Sequence, residues 1–309
     1  MRPNPLSLLS GITVFERGWL SSNNILLCGD QGTALVDSGY GAHAAQTLAL
    51  VKAALGERPL DMLANTHLHS DHCGGNATLQ AAYPALQTRI PPGLARHVSN
   101  WDPAALTYTP TSQTCPQFRF DSLLAPGTEL RLGNRFWQVH AAPGHDTHSV
   151  ILFDVANRIL ISADALWERG FGVVFPELEG EDAFDALGAT IDLIETLDPA
   201  VVIPGHGAVF TDVQKAISIA RARLGGFVAN PGKHIRHAAK VLLKFKLLEI
   251  QQLDQAALIA WALATPYFPL MFHRHRPGAD FTLWVEDLIA DLVRSGAATR
   301  DGPMVHNAG

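Results

Sequence analysis

The chain is poor in cysteine, poor in charge and without a long apolar run, and each shortage excludes a class of protein. Its three cysteines, Cys28, Cys73 and Cys115, are too few and too scattered in 309 residues to make a disulfide framework. They fit a reducing compartment. No segment approaches the ~20 consecutive apolar residues that a membrane helix needs. The N-terminus, Met1-Arg2-Pro3-Asn4-Pro5 followed by Leu6-Ser7-Leu8-Leu9, carries only a short apolar run and no small-x-small cleavage site. A cytoplasmic protein without a membrane partner is the expectation. Lysine and arginine number 23 against 29 acidic residues, a net charge of −6, which argues against a chain built mainly to bind nucleic acid. With 47% hydrophobic and 17% charged residues, the composition is that of an ordinary globular protein, long enough for one large domain or two smaller ones.

Histidine, by contrast, is concentrated. In Asn65-Thr66-His67-Leu68-His69-Ser70-Asp71-His72-Cys73-Gly74-Gly75, three histidines and an aspartate crowd together just after the apolar segment Pro59 to Ala64. An H-x-H pair at a strand end sends both imidazoles to one side, because strand side chains alternate with a period of two. Asp71 and His72 follow on a turn, where Gly74-Gly75 is expected to let the backbone bend sharply. Four metal-capable groups in two pairs are what holding two cations close together requires locally. Three later loops add similar chemistry, each just beyond a short aliphatic run that reads as a strand. They are Pro143-Gly144-His145, Ser162-Ala163-Asp164-Ala165 and Pro204-Gly205-His206-Gly207.

These four ordered motifs resemble those of the metallo-β-lactamase superfamily, over roughly residues 12 to 212. The resemblance implies an α/β protein with a four-layer αββα sandwich over residues 1–224, two mixed sheets face to face with helices outside. Residues 225–309 would form a separate, mostly helical C-terminal domain packed near one edge of the site. Carried over residue by residue, His67, His69 and His145 would bind one metal, and Asp71, His72 and His206 a second, with Asp164 bridging. Imidazole and carboxylate accept zinc, iron and manganese alike, and zinc is the default. Two cations ~3.5–4 Å apart can share a water and lower its pKa to about 7. The bridging hydroxide would attack a carbonyl carbon, with Asp71 as the catalytic residue that also orients it. Cys73 is at no ligand position of this pattern and reads as a packing residue.

The rest of the chain supplies the frame. Strands are expected at Ile12–Phe15, Asn24–Cys28, Thr33–Asp37, Glu129–His140 and Val150–Ile161, and helices at 42–55, 76–82, 182–197 and 211–224. Asp37 either orients a metal-bound histidine from behind or caps the following helix. Residues 91–127, rich in proline and threonine, form either a wall of the substrate pocket or a surface excursion anchored by its aromatics. After the Asp164 loop, Trp167, Phe171 and Phe175 line an apolar cleft or pack in the core, and His148 faces the substrate or bonds locally. Gly225-Gly226 and Asn230-Pro231-Gly232 mark the domain boundary. Beyond it, helices at 233–248, 255–264 and 281–295 and a terminal hairpin at 297–305 resemble a winged-helix appendage. His273 and His275 have no cluster around them and read as surface or packing residues.

The substrate expected is a small acyl compound: an ester, thioester or lactone. From Arg221 to Lys246 there are seven basic residues and no acid, which is the one feature favouring a nuclease acting on RNA or DNA. A solvated helix face explains it as well. A β-lactamase, or a non-catalytic or redox di-iron protein, fits less well, since no glycine-rich flavin module is visible. A small-molecule substrate and a second copy of the chain as a homodimer are the partners expected.

Overall fold

The alternation of apolar residues decides how the strands stack. In a computed structural model that describes residues 8–275 and 278–309, Ile25, Leu27, Ala34 and Val36 face one way, and Leu26 and Leu35 the other. The N-terminal residues Met1 to Ser7, which the sequence reading covered, lie outside the described residues. The first sheet runs in the order β1 (Ile12–Phe15), β2 (Asn24–Gly29), β3 (Gly32–Val36), β4 (Met62–Ala64), β5 (Gln87–Ile90) and β6 (Ser122–Leu123). Its first three strands pair antiparallel and the remainder parallel. Its helices are α1 (Ala44–Leu55), α2 (Ser70–Cys73), α3 (Asn76–Ala82), α4 (Ala95–Asn100) and α5 (Tyr108–Thr111). Val51 and Leu55 of α1 and Leu79 of α3 cover the outward side of this sheet.

The second sheet contains β7 (Glu129–Leu132), β8 (Arg135–Ala141), β9 (Val150–Asp154), β10 (Ile159–Ala163) and β11 (Val201–Pro204), in that order. All its pairs are antiparallel except β10 with β11. Trp137, Val139, Leu152, Ile161 and Ile203 meet the first sheet's inner face, while Phe153, Leu160 and Val202 face outward. Helices α6 (Phe175–Glu179), α7 (Phe184–Leu197) and α8 (Val213–Ala229) follow in this half. On α7, Phe184, Leu187, Ile191 and Ile194 recur every three or four residues, and that stripe packs onto the outward side with Ile217 and Ala220 of α8. The result is the expected αββα layering, with one core between the sheets and others under the outer helices.

The C-terminal part is α9 (Pro231–Ile250), β12 (Gln252–Asp254), α10 (Gln255–Ala264), α11 (Tyr267–His275), α12 (Phe281–Arg294), β13 (Ala298–Asp301) and β14 (Met304–Asn307). The three strands form a small sheet in the order β12-β14-β13. Side chains at N-caps start two helices: Asp254 accepts the N–H groups of Ala256 and Ala257, and Asp280 that of Leu283. Leu243, Leu258, Phe268, Leu288 and Val305 make one core, which also takes in Val173 and Leu178 from the sandwich side. Two features differ from the sequence reading. Gly225 and Gly226 lie inside α8, which continues to Ala229, and the next helix starts at Pro231. Tyr267–His275, which carries the His273/His275 pair, is a helix. Among the described residues no single helix is long and apolar enough to cross a membrane.

Candidate metal centre

Strand direction brings the four motifs together. β8 and β10 both run antiparallel to β9, so they point the same way, and β11 runs parallel to β10. His145, Asp164 and His206 therefore follow strand ends at one edge of the sandwich. β3 and β4 are parallel and deliver Asp37 and the His67 motif to the same edge. There the Val150 N–H donates to the Thr66 carbonyl at 2.9 Å, and the Asn23 N–H to the Gly205 carbonyl at 2.6 Å, tying one half to the other.

β4 ends at Ala64, so the H-x-H pair sits on a loop beyond the strand. The alternation survives there: Leu68 packs with Ile90 and Phe118, while His67 and His69 face the opposite way with ring centroids 4.7 Å apart. Asp71 and His72 lie on the single turn of α2. The Gly74-Gly75 pair does not act by special bending, since its φ values of −63° and −83° suit any residue. Both glycines are there for close approach. A Cβ on Gly74 would lie 2.4 Å from the Gly41 nitrogen, and one on Gly75 2.4 Å from the Ser38 oxygen. Gly205 works alike: a Cβ there would lie 2.2 Å from Asp164 Oδ1.

The seven donors gather as three overlapping groups, His67/His69/His145, His67/His72/Asp164 and Asp71/His72/His206, each with ligand atoms within 4.8 Å of one another. His69 Nδ1 is 2.8 Å from His145 Nε2. Asp164 reaches both sides, with Oδ1 3.5 Å from His72 Nε2 and Oδ2 3.4 Å from His145 Nε2 and 3.8 Å from His206 Nε2. Asp71 Oδ2 is 3.2 Å from His206 Nε2. The Nε2 atoms of His67 and His72 are buried and have no hydrogen-bond partner among the described residues. A buried polar atom left unpaired costs about 1–3 kcal/mol, and a metal ion is the partner that such a donor set fits.

Outer contacts fix which nitrogen faces inward. Asp37 Oδ2 accepts from His72 Nδ1 at 2.8 Å, and the same carboxylate accepts the Thr66 N–H at 2.8 Å and its hydroxyl at 2.7 Å. Of the two sequence readings of Asp37, orientation of a histidine is the one the geometry supports. Its φ of 58° and that of Ala163 at 47° place left-handed backbone immediately beside the cluster. His145 Nδ1 donates to the Val173 carbonyl at 2.6 Å, leaving Nε2 for the centre. Trp167 Nε1 donates to Asp164 Oδ1 at 3.2 Å.

Burial, reinforced by neighbouring imidazoles, pushes His67 well below the usual histidine range, and His69 and His145 down to about 4. These three are neutral at pH 7, the form that ligates metals. His72 goes the other way: burial opposes its charge, but Asp164 and Asp37 outweigh it and hold its pKa well up. For Asp71 and Asp164 burial is likewise overcome, by His206 and His72, and both stay below the ordinary carboxylate range. The centre thus combines three neutral imidazoles with two carboxylates held ionised beside His72 and His206.

A sequence model of the metallo-beta-lactamase superfamily matches residues 17–206. The chain belongs to this superfamily. It is 30% identical over 217 residues to an acyl-coenzyme A thioesterase of Gallus gallus, which covers 63% of this chain and 76% of that one. It is also 30% identical over 155 residues to the hydroxyacylglutathione hydrolase of Haemophilus ducreyi, spanning 50% of this chain but only about half, 54%, of that protein. Among solved structures, a metallo-beta-lactamase family protein from Thermus thermophilus aligns with 97% of this chain and 99% of its own, with a TM-score of 0.59 at 20% identity. The centre is that of a metallo-hydrolase of the superfamily, with donors compatible with a binuclear metal site.

Over the centre of this superfamily member opens a cavity of about 450 Å³. Trp167 and Phe175 line it, as does Trp19, which stacks on His206 with ring centroids 5.4 Å apart. Phe171 does not line it. That ring is fully buried in the core beside α8, under Phe227 and Arg223. His148 sits against Gly93 in an adjoining cleft of about 260 Å³, with Asp146 and Tyr267, that shares His69, Thr107 and Phe175 with the cavity. From 91–127 only Thr107, Thr111 and Gln113 reach the main cavity, while Tyr108 and Phe118 anchor the excursion in a small core of their own.

Sequence reasoning missed Trp19, Arg223 and the row His237, Val241 and Phe245 on α9, all of which line the cavity. The spacing of the last three, one helical turn each, was visible, but nothing local said that this helix faces the metals. Most of the basic block is neutralised nearby. Arg221 pairs with Asp192 and Glu195, Arg236 with Asp287 and Asp291, Lys240 with Asp291, and Lys246 with Glu249.

Proposed function

We propose that the protein hydrolyses small acyl thioesters with two divalent metal ions, zinc by default, with iron or manganese also accommodated. The observation that carries this reading is the largely apolar cavity opening onto paired donor sets, in a chain whose relatives include an acyl-coenzyme A thioesterase and a hydroxyacylglutathione hydrolase. His67, His69 and His145 would hold one ion, and Asp71, His72 and His206 the other, with Asp164 between them. Bound there, such a pair supplies a nucleophilic water at neutral pH and polarises the carbonyl. The chain's own groups do the rest. Asp71 faces the cavity and orients the attacking water by accepting its hydrogen bond. Trp19, Trp167, Phe175 and Phe245 surround the acyl group and exclude bulk water. Cys73 is no nucleophile, because it is fully buried and burial pushes its thiol well up.

A nuclease needs a basic track and steep salt dependence. The carboxylate pairing of the 221–246 block speaks against one. The test is a panel of thioesters, aryl esters, lactones, β-lactams and short RNAs, run with metal-reconstituted protein at two salt concentrations. Metal-dependent thioester turnover that varies little with salt is expected. RNA cleavage that collapses at high salt would overturn the reading.

A further inference from the structure

One cation of the basic block lines the cavity and, among the described residues, has no counter-charge within ion-pair distance. Arg223 is on α8, and its guanidinium lies 5.1 Å from the Phe171 ring centroid and 5.4 Å from that of Phe227. The rings hold it in place without neutralising it. One of its N–H groups donates to His237 Nε2 at 2.6 Å. Burial, with Arg223 itself next, pushes His237 down to about 3, so this partner is neutral and orients the guanidinium without offsetting its charge. Among the described residues no carboxylate lies within 4.0 Å of Arg223, although Glu168, Asp71 and Asp164 line the same cavity. Gly170, whose φ of +127° itself favours glycine, lies against it: a Cβ there would be 2.6 Å from Nη1.

An uncompensated, mostly buried guanidinium is costly to keep. It is matched when a planar anion accepts its remaining donors. Along the same wall, one and two helical turns beyond His237, Val241 and Phe245 continue as an apolar strip with Leu242 between them. The wall therefore offers a cationic end and an apolar end.

We propose that Arg223 is the specificity residue for an anionic group, a carboxylate or a phosphate, carried on the thiol half of the substrate, with the acyl chain lying along Val241, Leu242 and Phe245. This rests on the thioesterase reading above, which supplies the thiol half. It adds that neutral thioesters are poor substrates and that the site selects its leaving group by charge.

The test reads binding without turnover. Thioether analogues with one alkyl chain and three thiol halves, neutral, carboxylate-bearing and phosphate-bearing, are titrated calorimetrically against metal-loaded wild type, Arg223→Gln and Arg223→Lys. Wild type is expected to prefer at least one anionic probe by about tenfold or more, as a charge-assisted bidentate pair would give. The tighter of the two identifies the anion. Arg223→Gln should reduce the preference to within about threefold, and Arg223→Lys should keep part of it. No preference in wild type, or a preference that survives Arg223→Gln, overturns the proposal. If Arg223→Gln binds no probe at all, Arg223→Lys decides: an anionic preference supports the proposal and its absence refutes it. Because thioethers are not hydrolysed, this outcome is independent of the panel. Missing thioester turnover with an intact preference removes the reaction and leaves the anion site; turnover without a preference does the reverse.

Discussion

At the scale of single residues, the centre depends as much on what stands behind the ligand atoms as on the atoms themselves. Asp37 accepts three hydrogen bonds, one of them from His72 Nδ1. Asn tolerates the left-handed backbone found there, so Asp37→Asn should keep the turn while removing the charge that orients His72. Metal affinity is expected to fall about 10- to 100-fold, read by competition with a chelator of known affinity. An unchanged affinity would reduce Asp37 to a turn residue. The glycines teach a related lesson. Gly74, Gly75 and Gly205 are dictated by atoms far away in sequence, which is why the residue string alone suggested a bend at Gly74-Gly75 where the structure has a close contact.

At the scale of elements, local signals failed where tertiary packing overrode them. Gly225-Gly226 looks like punctuation, yet α8 passes through it because Ile217, Ala220 and Phe227 on either side are buried. A Cβ at either glycine would meet nothing within 4 Å, and neither has a positive φ. Gly225→Ala and Gly226→Ala should each stabilise the protein by about 1 kcal/mol, measured by urea unfolding; destabilisation would mean that the pair serves as a hinge. Helix α11 was obscured by Pro269, which sits in its first turn, where the missing N–H has no helical partner to lose.

The contact between α9 and the sandwich also carries a pH dependence. His234 Nε2 accepts the Val174 N–H at 3.1 Å, and burial, then Arg223, push its pKa from the ordinary 6.5 down to about 4. The unfolded chain takes up this proton below about 6.5, whereas the folded chain resists until about 4. The stability tied to neutral His234 is therefore complete above pH 6.5 and lost as pH falls toward 4, by up to about 3 kcal/mol. Unfolding of wild type and His234→Gln at pH 7 and pH 5 should show the smaller pH effect in the variant. Equal slopes would rule the contribution out.

For the whole molecule, the sandwich was legible because strand alternation and helix stripes are written in short windows, and the centre because its donors follow strand-like runs in a fixed order. The cavity was legible only in part: the loop after Asp164 was read as one wall, whereas Trp19 and α9 were not. Its walls come from Trp19, from the loop after Asp164 and from α9, which only the completed fold brings together. Removing metal should therefore do more than stop catalysis. Seven clustered donors without a cation leave polar atoms unpaired in a buried site, so chelation should lower the melting temperature, and restoring metal should recover it. The most direct test of the central claim is elemental analysis of protein reconstituted with zinc, iron or manganese, on wild type and Asp164→Ala. About two ions per wild-type chain are expected with at least one of these metals, falling to one or fewer in the variant. One ion or none per wild-type chain with every metal would contradict the binuclear centre.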